Sequence, residues 1–420
     1  MKIVYFFSFI TIIALPSYLV RCKNFSWCVS PIPFTLLEFL ILTTFFAWII
    51  WTIYSIRTNK ESLYKVIQRL RGPLILPLGL LVVFAGLSLI FTSDLRGGLG
   101  IWKAYFIEAA LFYLVVVDLS IRRRDYTWVL KALMISGIFV SIASISNYLS
   151  IANDIGIDEA LSMRISSVYE FSNAVPLYLG PILALSISVL VLQIKKIKKS
   201  PSFYIAVLGL FSMITAMLLS HSKGGIIGIL AVLATWFGYL IYKSLSLRYK
   251  KYFKYLLYLL AGIYFIFNIF VYLNIDGFAP KGNYPKNSLV NRYCIWQGTR
   301  DLLSKKFVTG SGLNGFHDDY NDYKTCLSND YQYPHNILLT FWTEIGLIGV
   351  VVFLYVSYKY LELNSKGSDK WLSIGLLSAL VYIFIHGLVD VPYFKNDLSV
   401  QFWLLAALVA LNQKIEVNPK

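Results

Sequence analysis

The residues best suited to chemistry in this chain lie between Asn291 and Gly349. A basic segment containing Arg292 is followed by a glycine-rich turn and a polar run, and His335 then stands directly before an apolar segment. Arginine and histidine are costly to place beside hydrocarbon and are usually retained there for function. We therefore predict a polar reactive site against a membrane surface, with Arg292 as a fixed cation and His335 as a base.

Two further cations are predicted on the same side of the membrane. Arg164 lies in the polar segment RISSVYEFSN, and Lys223 follows His221 and Ser222 at the end of an apolar run. A lone lysine at such a position is explained equally well by extension of its ammonium group to the lipid headgroups. Anion binding and a purely interfacial role are therefore both open for these two residues.

Three titratable residues are predicted nearer the membrane interior. Glu344 lies nine residues after His335, roughly 13 Å along a helix that rises about 1.5 Å per residue, so we place it near the middle of the bilayer. His386 and Asp390 are four residues apart, and on one helix they would face the same side and hydrogen-bond to each other. Stability explains all three as well as chemistry does.

The composition excludes a single soluble domain. Of the 420 residues, 57% are hydrophobic and 14% are charged, and the mean hydropathy is +0.65. About twelve apolar runs approach the length needed to cross a bilayer, roughly 20 residues per helix. We predict an all-α polytopic membrane protein in which residues 1–420 form one integral membrane domain. The runs are 3–20, 34–53, 74–91, 101–119, 128–149, 175–194, 203–219, 226–242, 252–273, 336–358, 371–388 and 398–411.

The distribution of basic residues predicts the orientation. Lysine and arginine are retained in short cytoplasmic loops, and the basic loops here are 57–71, 122–124, 195–199 and 243–254. This pattern places both termini in the cytoplasm and the long loop 274–334, between the ninth and tenth runs, on the outer face. The net charge of +16 then reflects topology and contact with anionic membrane lipids, and no nucleic-acid partner is predicted.

All four cysteines fall on the predicted outer side, where disulfides can form. We favour the pairs Cys22 with Cys28 and Cys294 with Cys326, the second of which would tie the two reactive segments together. Four cysteines allow three pairings, and free thiols in loops are the alternative.

The long outer loop is predicted to carry structure of its own. Residues 288–303 have the apolar spacing of a short amphipathic helix at the membrane interface, with Arg292 in its first turns. Gly310, Gly312 and Gly315 allow tight backbone turns. They do not predict a nucleotide-binding loop, because no strand precedes them and no lysine follows at the required position.

These parts suit the transfer of a group from a lipid diphosphate. Arg164, Lys223 and Arg292 would hold the phosphates and neutralise the leaving group. His335 would accept a proton from an attacking hydroxyl, and the helix that begins after Pro334 would add a favourable field for an anion. The sequence contains no zinc-finger, HExxH, P-loop or GxSxG pattern, so we predict no metal and no other cofactor.

Five motifs, in order along the chain, carry a family resemblance. They are RISSVYEFSN, HSKGG, NRYCIWQG followed by GSGLNGF, PHNILLTFWTEIGLIG and HGLVDVPYFKNDL. From about residue 101 to its end the chain resembles the O-antigen ligase and polymerase superfamily, bacterial inner-membrane proteins that use polyprenyl-diphosphate-linked glycans. The resemblance includes an arrangement of about twelve spans with a long periplasmic loop between the ninth and the tenth.

The resemblance implies roles for individual residues. Arg292 would bind the diphosphate, and His335 would act as the base or orient the acceptor. Lys223 stands where the family has an arginine, so the charge is kept while the bidentate fork is lost. Supporting roles are implied for Asn336, Glu344, His386 and Asp390.

The expected activity is an inverting, metal-independent reaction of the O-antigen ligase type. A glycan would pass from a polyprenyl-diphosphate carrier to a hydroxyl of the lipid A core, or of another glycan acceptor, on the periplasmic face of the bacterial inner membrane. A polymerase of the same superfamily would use another lipid-linked repeat as the acceptor. A transporter of lipid-linked glycans would instead predict two related halves, and the sequence contains no such internal repeat.

Overall fold

The structure is a computed structural model that describes residues 1–21, 34–194, 201–273, 288–324 and 331–415. Regular structure in these ranges is helical, and the one extended pairing within them is an isolated bridge between Arg21 and Thr35. The predicted all-α class is confirmed.

Each predicted apolar run coincides with one helix or with two consecutive helical segments, because a helix pairs its backbone groups internally where water is absent. Helix α5 (Leu95–Arg123) contains a π-helical segment, Trp102–Ile107. In chain order the helices are α1 (Lys2–Ile13), α2 (Leu36–Arg57), α3 (Leu63–Leu70), α4 (Ile75–Leu87), α5 (Leu95–Arg123), α6 (Thr127–Ile155), α7 (Ile157–Ser162), α8 (Ala174–Ile194), α9 (Pro201–Leu219), α10 (Lys223–Ser244), α11 (Leu247–Leu273), α12 (Ser288–Lys305), α13 (Phe316–Tyr320), α14 (Ile337–Ile345), α15 (Leu347–Ser365), α16 (Lys370–His386) and α17 (Asn396–Lys414).

Within these ranges, six helices are long and apolar enough to cross a membrane: α2, α5, α6, α8, α10 and α15. Helices α3 and α4, which are bent by 81° at their junction, make a seventh if the pair is taken as one span. A multi-pass membrane protein is therefore supported by helix length and composition. The number of about twelve spans stays a prediction.

Helices α8, α16 and α17 form the centre of the bundle. Helix α17 is buried along nearly all of its length, and a helix buried on every side lies within a larger core. The close approach of α8 and α16 depends on Gly180, where an added Cβ would lie 2.0 Å from the ring of Tyr382. The Tyr382 hydroxyl donates to the carbonyl of Pro176 at 2.7 Å. These contacts fix the end of α16 beside the start of α8.

Ionic contacts gather several predicted cytoplasmic segments at one end of the bundle. The buried carboxylate of Asp118 accepts hydrogen bonds from Trp48 (2.8 Å), Arg69 (2.6 Å) and Arg122 (2.7 Å). Lys414, at the end of α17, donates to the carbonyl of Arg69 at 2.9 Å. The basic loops 57–71 and 122–124 therefore share one end, whereas their orientation relative to a membrane stays a prediction.

The predicted tenth span is interrupted, so its expected continuity is wrong. Helix α14 ends at Ile345, and α15 begins at Leu347 after Gly346, which has a φ of +81°. The turn after α12 enters this break, because the Leu347 amide donates to the carbonyl of Val308 at 3.0 Å. A Cβ at position 346 would lie 2.4 Å from that carbonyl oxygen. Glu344 therefore lies beside this turn and not at the middle of a continuous span.

The predicted helix of the outer loop is confirmed as α12, but its surroundings differ from the expectation. Its side chains Ile295, Leu302 and Leu303 are fully buried and pack with Phe316 and Tyr320 of α13. The apolar face of α12 is thus covered by protein, because the chain folds back on it, and is not left to the membrane interface.

The turn between α12 and α13 uses two of its three glycines as predicted. Gly310 and Gly312 have φ values of +62° and +78°, a region that residues with a Cβ rarely adopt. At Gly315 the requirement is space, since an added Cβ would lie 2.2 Å from a backbone carbonyl oxygen. The turn packs on the junction of α4 and α5, where Thr92 donates its hydroxyl to the carbonyl of Leu313 at 2.7 Å.

Candidate active site

His335 lies two residues before the first residue of α14. Its backbone is left-handed, with a φ of +50°, a conformation that costs roughly 1 kcal/mol or more for a residue with a Cβ and needs support from its surroundings. The side chain is 27% exposed, and the ring of Tyr331 meets the imidazole edge-on at 5.5 Å between centroids. The imidazole is therefore held by neighbours and still accessible from one side.

Asn336 supports the site as the cap of α14. Its side-chain oxygen accepts hydrogen bonds from the amides of Leu338 (3.0 Å) and Leu339 (3.1 Å), as is common for asparagine at this position. The Ile337 amide donates to the carbonyl of Gly387 at 2.7 Å. The amides of Ile337, Leu338 and Leu339 are therefore already hydrogen-bonded within the protein and are not available to an anion. An anion near the start of α14 would still experience the favourable field of the helix dipole.

One carboxylate joins three segments that are distant in sequence. Asp390 Oδ1 lies 3.2 Å from Nδ1 of His335, and Asp390 Oδ2 accepts a hydrogen bond of 2.5 Å from Nδ2 of Asn173. The Nη2 group of Arg292 lies 3.9 Å from the same Oδ2. We call these four residues the Asp390 cluster. It connects the start of α8, the first turns of α12 and the approach to α14 with the loop after α16.

The electrostatics of the cluster fix the role of each ring nitrogen. Burial raises the pKa of the Asp390 carboxyl, but the hydrogen bond and charge of His335, the charge of His386 and the hydrogen bond from Asn173 outweigh it, and this pKa lies well below its usual range. An ionised carboxylate can only accept hydrogen bonds. Nδ1 of His335 is therefore the donor in this contact, and in a neutral imidazole Nε2 would be the acceptor.

Arg292 is held by backbone carbonyls as well as by charge. Its Nε donates to the carbonyl of Val389 at 2.6 Å, and its Nη1 donates to the carbonyl of Ser288 at 3.1 Å. Two carbonyls and the Asp390 carboxylate fix the plane of the guanidinium, whose side chain is 19% exposed. A fixed, partly exposed guanidinium is suited to bind a phosphate oxygen through its remaining N–H groups.

Arg164 and Lys223 lie around the turn between α9 and α10. Arg164 donates its Nε to the carbonyl of Ser220 at 3.3 Å, and Lys223 opens α10 with an exposed side chain. Gly224 packs on the ring of His386, because an added Cβ would lie 2.6 Å from its Cδ2 atom. Both cations thus stand at the same end of the bundle as the Asp390 cluster. Among the contacts of the described residues, neither touches the cluster directly.

The predicted hydrogen bond between His386 and Asp390 is wrong. Helix α16 ends at His386, so the two residues do not share a helix face. Nδ1 of His386 instead lies 3.1 Å from the hydroxyl of Tyr382, which already donates to the carbonyl of Pro176. His386 is therefore a buried residue packed between Tyr382 of its own helix and Gly224 of α10. The carboxylate of Asp390 contacts His335 and Asn173 instead.

Glu344 is not brought together with His335. It is fully buried, and its Oε2 accepts the amide of Asn314, in the turn between α12 and α13, at 2.7 Å. Glu344 therefore stabilises this turn, and it can affect the Asp390 cluster only through other residues.

The disulfide predictions fall largely outside the part of the chain that the structure describes. Cys294 in α12 is buried and disulfide-bonded. Cys22, Cys28 and Cys326 lie outside the described residues, so both pairings stay predictions.

Asn173 is the member of the cluster that the sequence reasoning did not single out. It ends the motif RISSVYEFSN and stands directly before the apolar helix α8. The carboxamide at that junction could have been recognised, because a polar group beside an apolar helix is costly to bury without a hydrogen-bond partner. The identity of that partner, 217 residues away, could not be read from local spacing.

Comparison with known proteins adds a second line of argument. Residues 208–354 match the family described as O-Antigen ligase, a range that includes Lys223, Arg292 and His335 and excludes Arg164 and Asp390. A curated protein of Rickettsia bellii (strain RML369-C) named "Putative polysaccharide ligase" is 26% identical over 159 residues. This alignment covers 35% of the present chain and 37% of the relative, so the chain spans little more than a third of that relative's length. Together with the five motifs, these similarities support the resemblance of the chain to the O-antigen ligase superfamily.

Proposed function

We propose that the protein transfers a glycan from a lipid diphosphate to an acceptor hydroxyl, with His335 as the base and Arg292 as the ligand of the diphosphate. The Asp390 cluster carries the proposal, since an oriented imidazole and a guanidinium flank one buried carboxylate. A base of fixed tautomer and an adjacent cation are the two parts needed to activate a hydroxyl and to neutralise a phosphate leaving group.

The donor in this proposal is a glycan on a polyprenyl diphosphate. Arg292 uses Nε and Nη1 on the carbonyls of Val389 and Ser288, and its other N–H groups would bind one phosphate through charge-assisted hydrogen bonds. Lys223 and Arg164, at the same end of the bundle, would add positive charge for the second phosphate. The negative charge of the leaving group is then met by side chains of the protein.

The proposed reaction uses these positions. The acceptor oxygen attacks the anomeric carbon on the face opposite the diphosphate, and the bond from that carbon to the phosphate oxygen breaks. Its electron pair leaves with the polyprenyl diphosphate, so the anomeric configuration is inverted. The hydroxyl proton passes to Nε2 of His335, and the carboxylate of Asp390 stabilises the imidazolium that forms.

The acceptor proposed here is a hydroxyl of the lipid A core, on the periplasmic face of a bacterial inner membrane. The ligase description of the matched family and the name of the Rickettsia relative favour a ligase over a polymerase. A polymerase would perform the same chemistry on a second lipid-linked glycan, so the two activities differ only in the acceptor.

The test is transfer by the purified protein in lipid nanodiscs, supplied with a polyprenyl-diphosphate glycan and with lipid A core or lipid-linked repeat as acceptor. We expect the parent to glycosylate lipid A core, and His335→Ala and Arg292→Ala to lose at least about 100-fold in rate, as expected for a lost base or a lost charge clamp. Lys305→Ala, which removes an exposed cation from the same helix as Arg292, should retain the parental rate.

The assay separates the candidate functions. Extension of the lipid-linked repeat, without use of lipid A core, would identify a polymerase. Parental transfer by both alanine variants would refute the assigned residue roles. In a parallel measurement in proteoliposomes, movement of labelled donor across the bilayer with no new glycosidic bond would indicate a transporter.

A further inference from the structure

The segment that leads into His335 is held by side chains from elsewhere in the fold. Trp296 donates its indole N–H to the carbonyl of Pro334 at 2.8 Å, and Gln332 donates its Nε2 to Oδ1 of Asn314 at 2.6 Å. His335 itself has a left-handed backbone, a conformation that persists only where surrounding contacts hold it. The direction of the imidazole therefore depends on how firmly the preceding residues are fixed.

Asn314 is anchored on the side away from this segment. Its amide donates to Oε2 of Glu344 at 2.7 Å, and its Nδ2 donates to Oδ2 of Asp94 at 2.8 Å. Asp94 is fixed in turn because its Oδ1 caps α5 by accepting the amide of Gly97 at 3.0 Å. The φ of Asn314 is +65°, in a region where asparagine is enriched among residues with a Cβ. One side chain thus connects the start of α5 to the residues before His335.

Gly97 provides the space for this connection. An added Cβ at Gly97 would lie 2.1 Å from Nδ2 of Asn314 and 2.2 Å from Oδ2 of Asp94. An alanine there must displace the pair. Gly100, three residues further along the same helix, has no atom within 4 Å of an added Cβ. The two glycines therefore form a matched pair for testing the contact.

We propose that Asn314 is a positioning residue for His335, which holds the segment 331–334 against α5 and α14 so that Nε2 of the imidazole faces the acceptor. Its effect on the reaction rests on the proposed function, whereas its effect on the segment does not. The hydrogen bond from His335 to Asp390 involves no atom of Asn314. Loss of the Asn314 contacts should therefore slow turnover and leave donor binding nearly unchanged.

The primary variant is Asn314→Gly, which removes the side chain while tolerating a positive φ. Gly97→Ala displaces the same contact from the other side, and Gly100→Ala is the control. We expect the first two variants to lower kcat by about tenfold or more, since small misplacements of a reacting group can cost up to roughly 100-fold. Their donor KM should stay within about twofold of the parental value, and Gly100→Ala should match the parent in both constants.

Hydrogen exchange of the amides of residues 331–333, 335 and 336, measured by mass spectrometry on the full-length protein, gives a readout that does not depend on activity. Exchange should be faster in Asn314→Gly and Gly97→Ala and unchanged in Gly100→Ala. If Asn314→Gly fails to fold, Gln332→Ala removes the same hydrogen bond from an exposed position.

Four outcomes can be distinguished. Parental exchange in both test variants would overturn it, as would faster exchange combined with a parental kcat. Faster exchange with a reduced kcat would support it. If the parent transfers no glycan to any acceptor but exchange is still accelerated, the holding contact is supported and the proposed function is the part that fails.

Discussion

Nδ1 of His335 and Oδ1 of Asp390 are joined by a hydrogen bond of 3.2 Å, although 55 residues separate them in the chain. His335 precedes α14 and Asp390 follows α16, so the bond ties the start of α14 to the end of α16. A carboxylate in this position sets both the tautomer and the direction of an imidazole. In the proposed reaction, His335 would thus be oriented before any substrate arrives, which would lower the reorganisation needed for proton transfer.

Replacing Asp390 by asparagine should leave the protein folded and nearly inactive. The carboxamide has the same size but can turn an N–H group towards Nδ1 of His335, which would place the ring proton on Nε2 and remove the base. Loss of an orienting carboxylate in a catalytic triad costs about 10⁴-fold in turnover, and we expect kcat to fall by at least about 100-fold here. Initial rates at saturating donor measure this.

Asp301→Asn serves as the control for Asp390→Asn, because Asp301 is a partly exposed carboxylate of α12 with a 41% exposed side chain. It should keep the parental kcat. A kcat for Asp390→Asn within about threefold of the parental value would rule out an orienting role for the carboxylate, given the size of the effect expected for a wrong tautomer.

Replacing Arg292 by lysine should weaken donor binding in spite of the retained charge. The guanidinium donates through Nε and Nη1 to two separate carbonyls while Nη2 lies toward Asp390, and a single ammonium nitrogen cannot reproduce that fork. The loss of one or two charge-assisted hydrogen bonds predicts a donor KM that is about tenfold to a hundredfold higher. Steady-state kinetics with varied donor give this value.

The control is the same substitution on the same helix, Arg300→Lys, whose guanidinium pairs with Asp301. Its donor KM should be parental. An unchanged donor KM in Arg292→Lys would show that position 292 contributes charge alone. The side chain would then act on the phosphate through long-range electrostatics and not through the proposed direct contact.

The helices were well predicted from the sequence, because a long apolar segment away from water satisfies its backbone groups by local hydrogen bonds within one helix. Arg292 and His335 were also recognisable, since each stands where hydrocarbon makes a charge or an imidazole costly. The break at Gly346 was not predictable in this way. The segment ILLTFWTEIGLIG reads as one apolar run, and the helix ends there because a turn near Val308, distant in the chain, packs into it.

The partner of Asp390 shows the same limit. Spacing of four residues favoured His386 on one helix face, but α16 ends at His386 and the carboxylate turns to His335 and Asn173 instead. Periodicity describes neighbours along one element. It carries no information about which distant segment is packed against the end of that element.

Asp390 should make the protein more stable at neutral than at acidic pH. Burial raises the pKa of Asp390. Other interactions, among them the hydrogen bond and charge of His335, outweigh burial, so this pKa lies below the ordinary aspartate value of 3.8. For a lowered pKa, the stabilisation is complete above the unfolded value and is lost as the pH falls through the folded value. The difference in unfolding temperature between the parent and Asp390→Asn should therefore be largest near neutral pH and shrink below about pH 4.

Thermal unfolding in detergent, followed by intrinsic fluorescence between neutral and acidic pH, measures this difference. Asp301→Asn again provides the comparison, because its carboxylate is partly exposed and its pair with Arg300 is screened by solvent. A gap between the parent and Asp390→Asn that stays constant across the whole range would mean that the ionised carboxylate is not the stabilising species.

Gly346→Ala should destabilise the fold even though the residue lies outside the Asp390 cluster. Its φ of +81° is unfavourable for a side chain, and the added Cβ would stand 2.4 Å from the carbonyl oxygen of Val308, which also accepts the amide of Leu347. The backbone conformation alone costs roughly 1–2 kcal/mol, and displacing the turn weakens a further hydrogen bond. In α4, Gly79→Ala adds a methyl group with no atom within 4 Å and gains helix propensity of about 1 kcal/mol. The unfolding temperature of Gly346→Ala should therefore lie below that of the parent, and that of Gly79→Ala should lie above it. Equal unfolding temperatures would mean that α14 and α15 can join without the turn at Val308, and the interrupted helix would then be dispensable for stability.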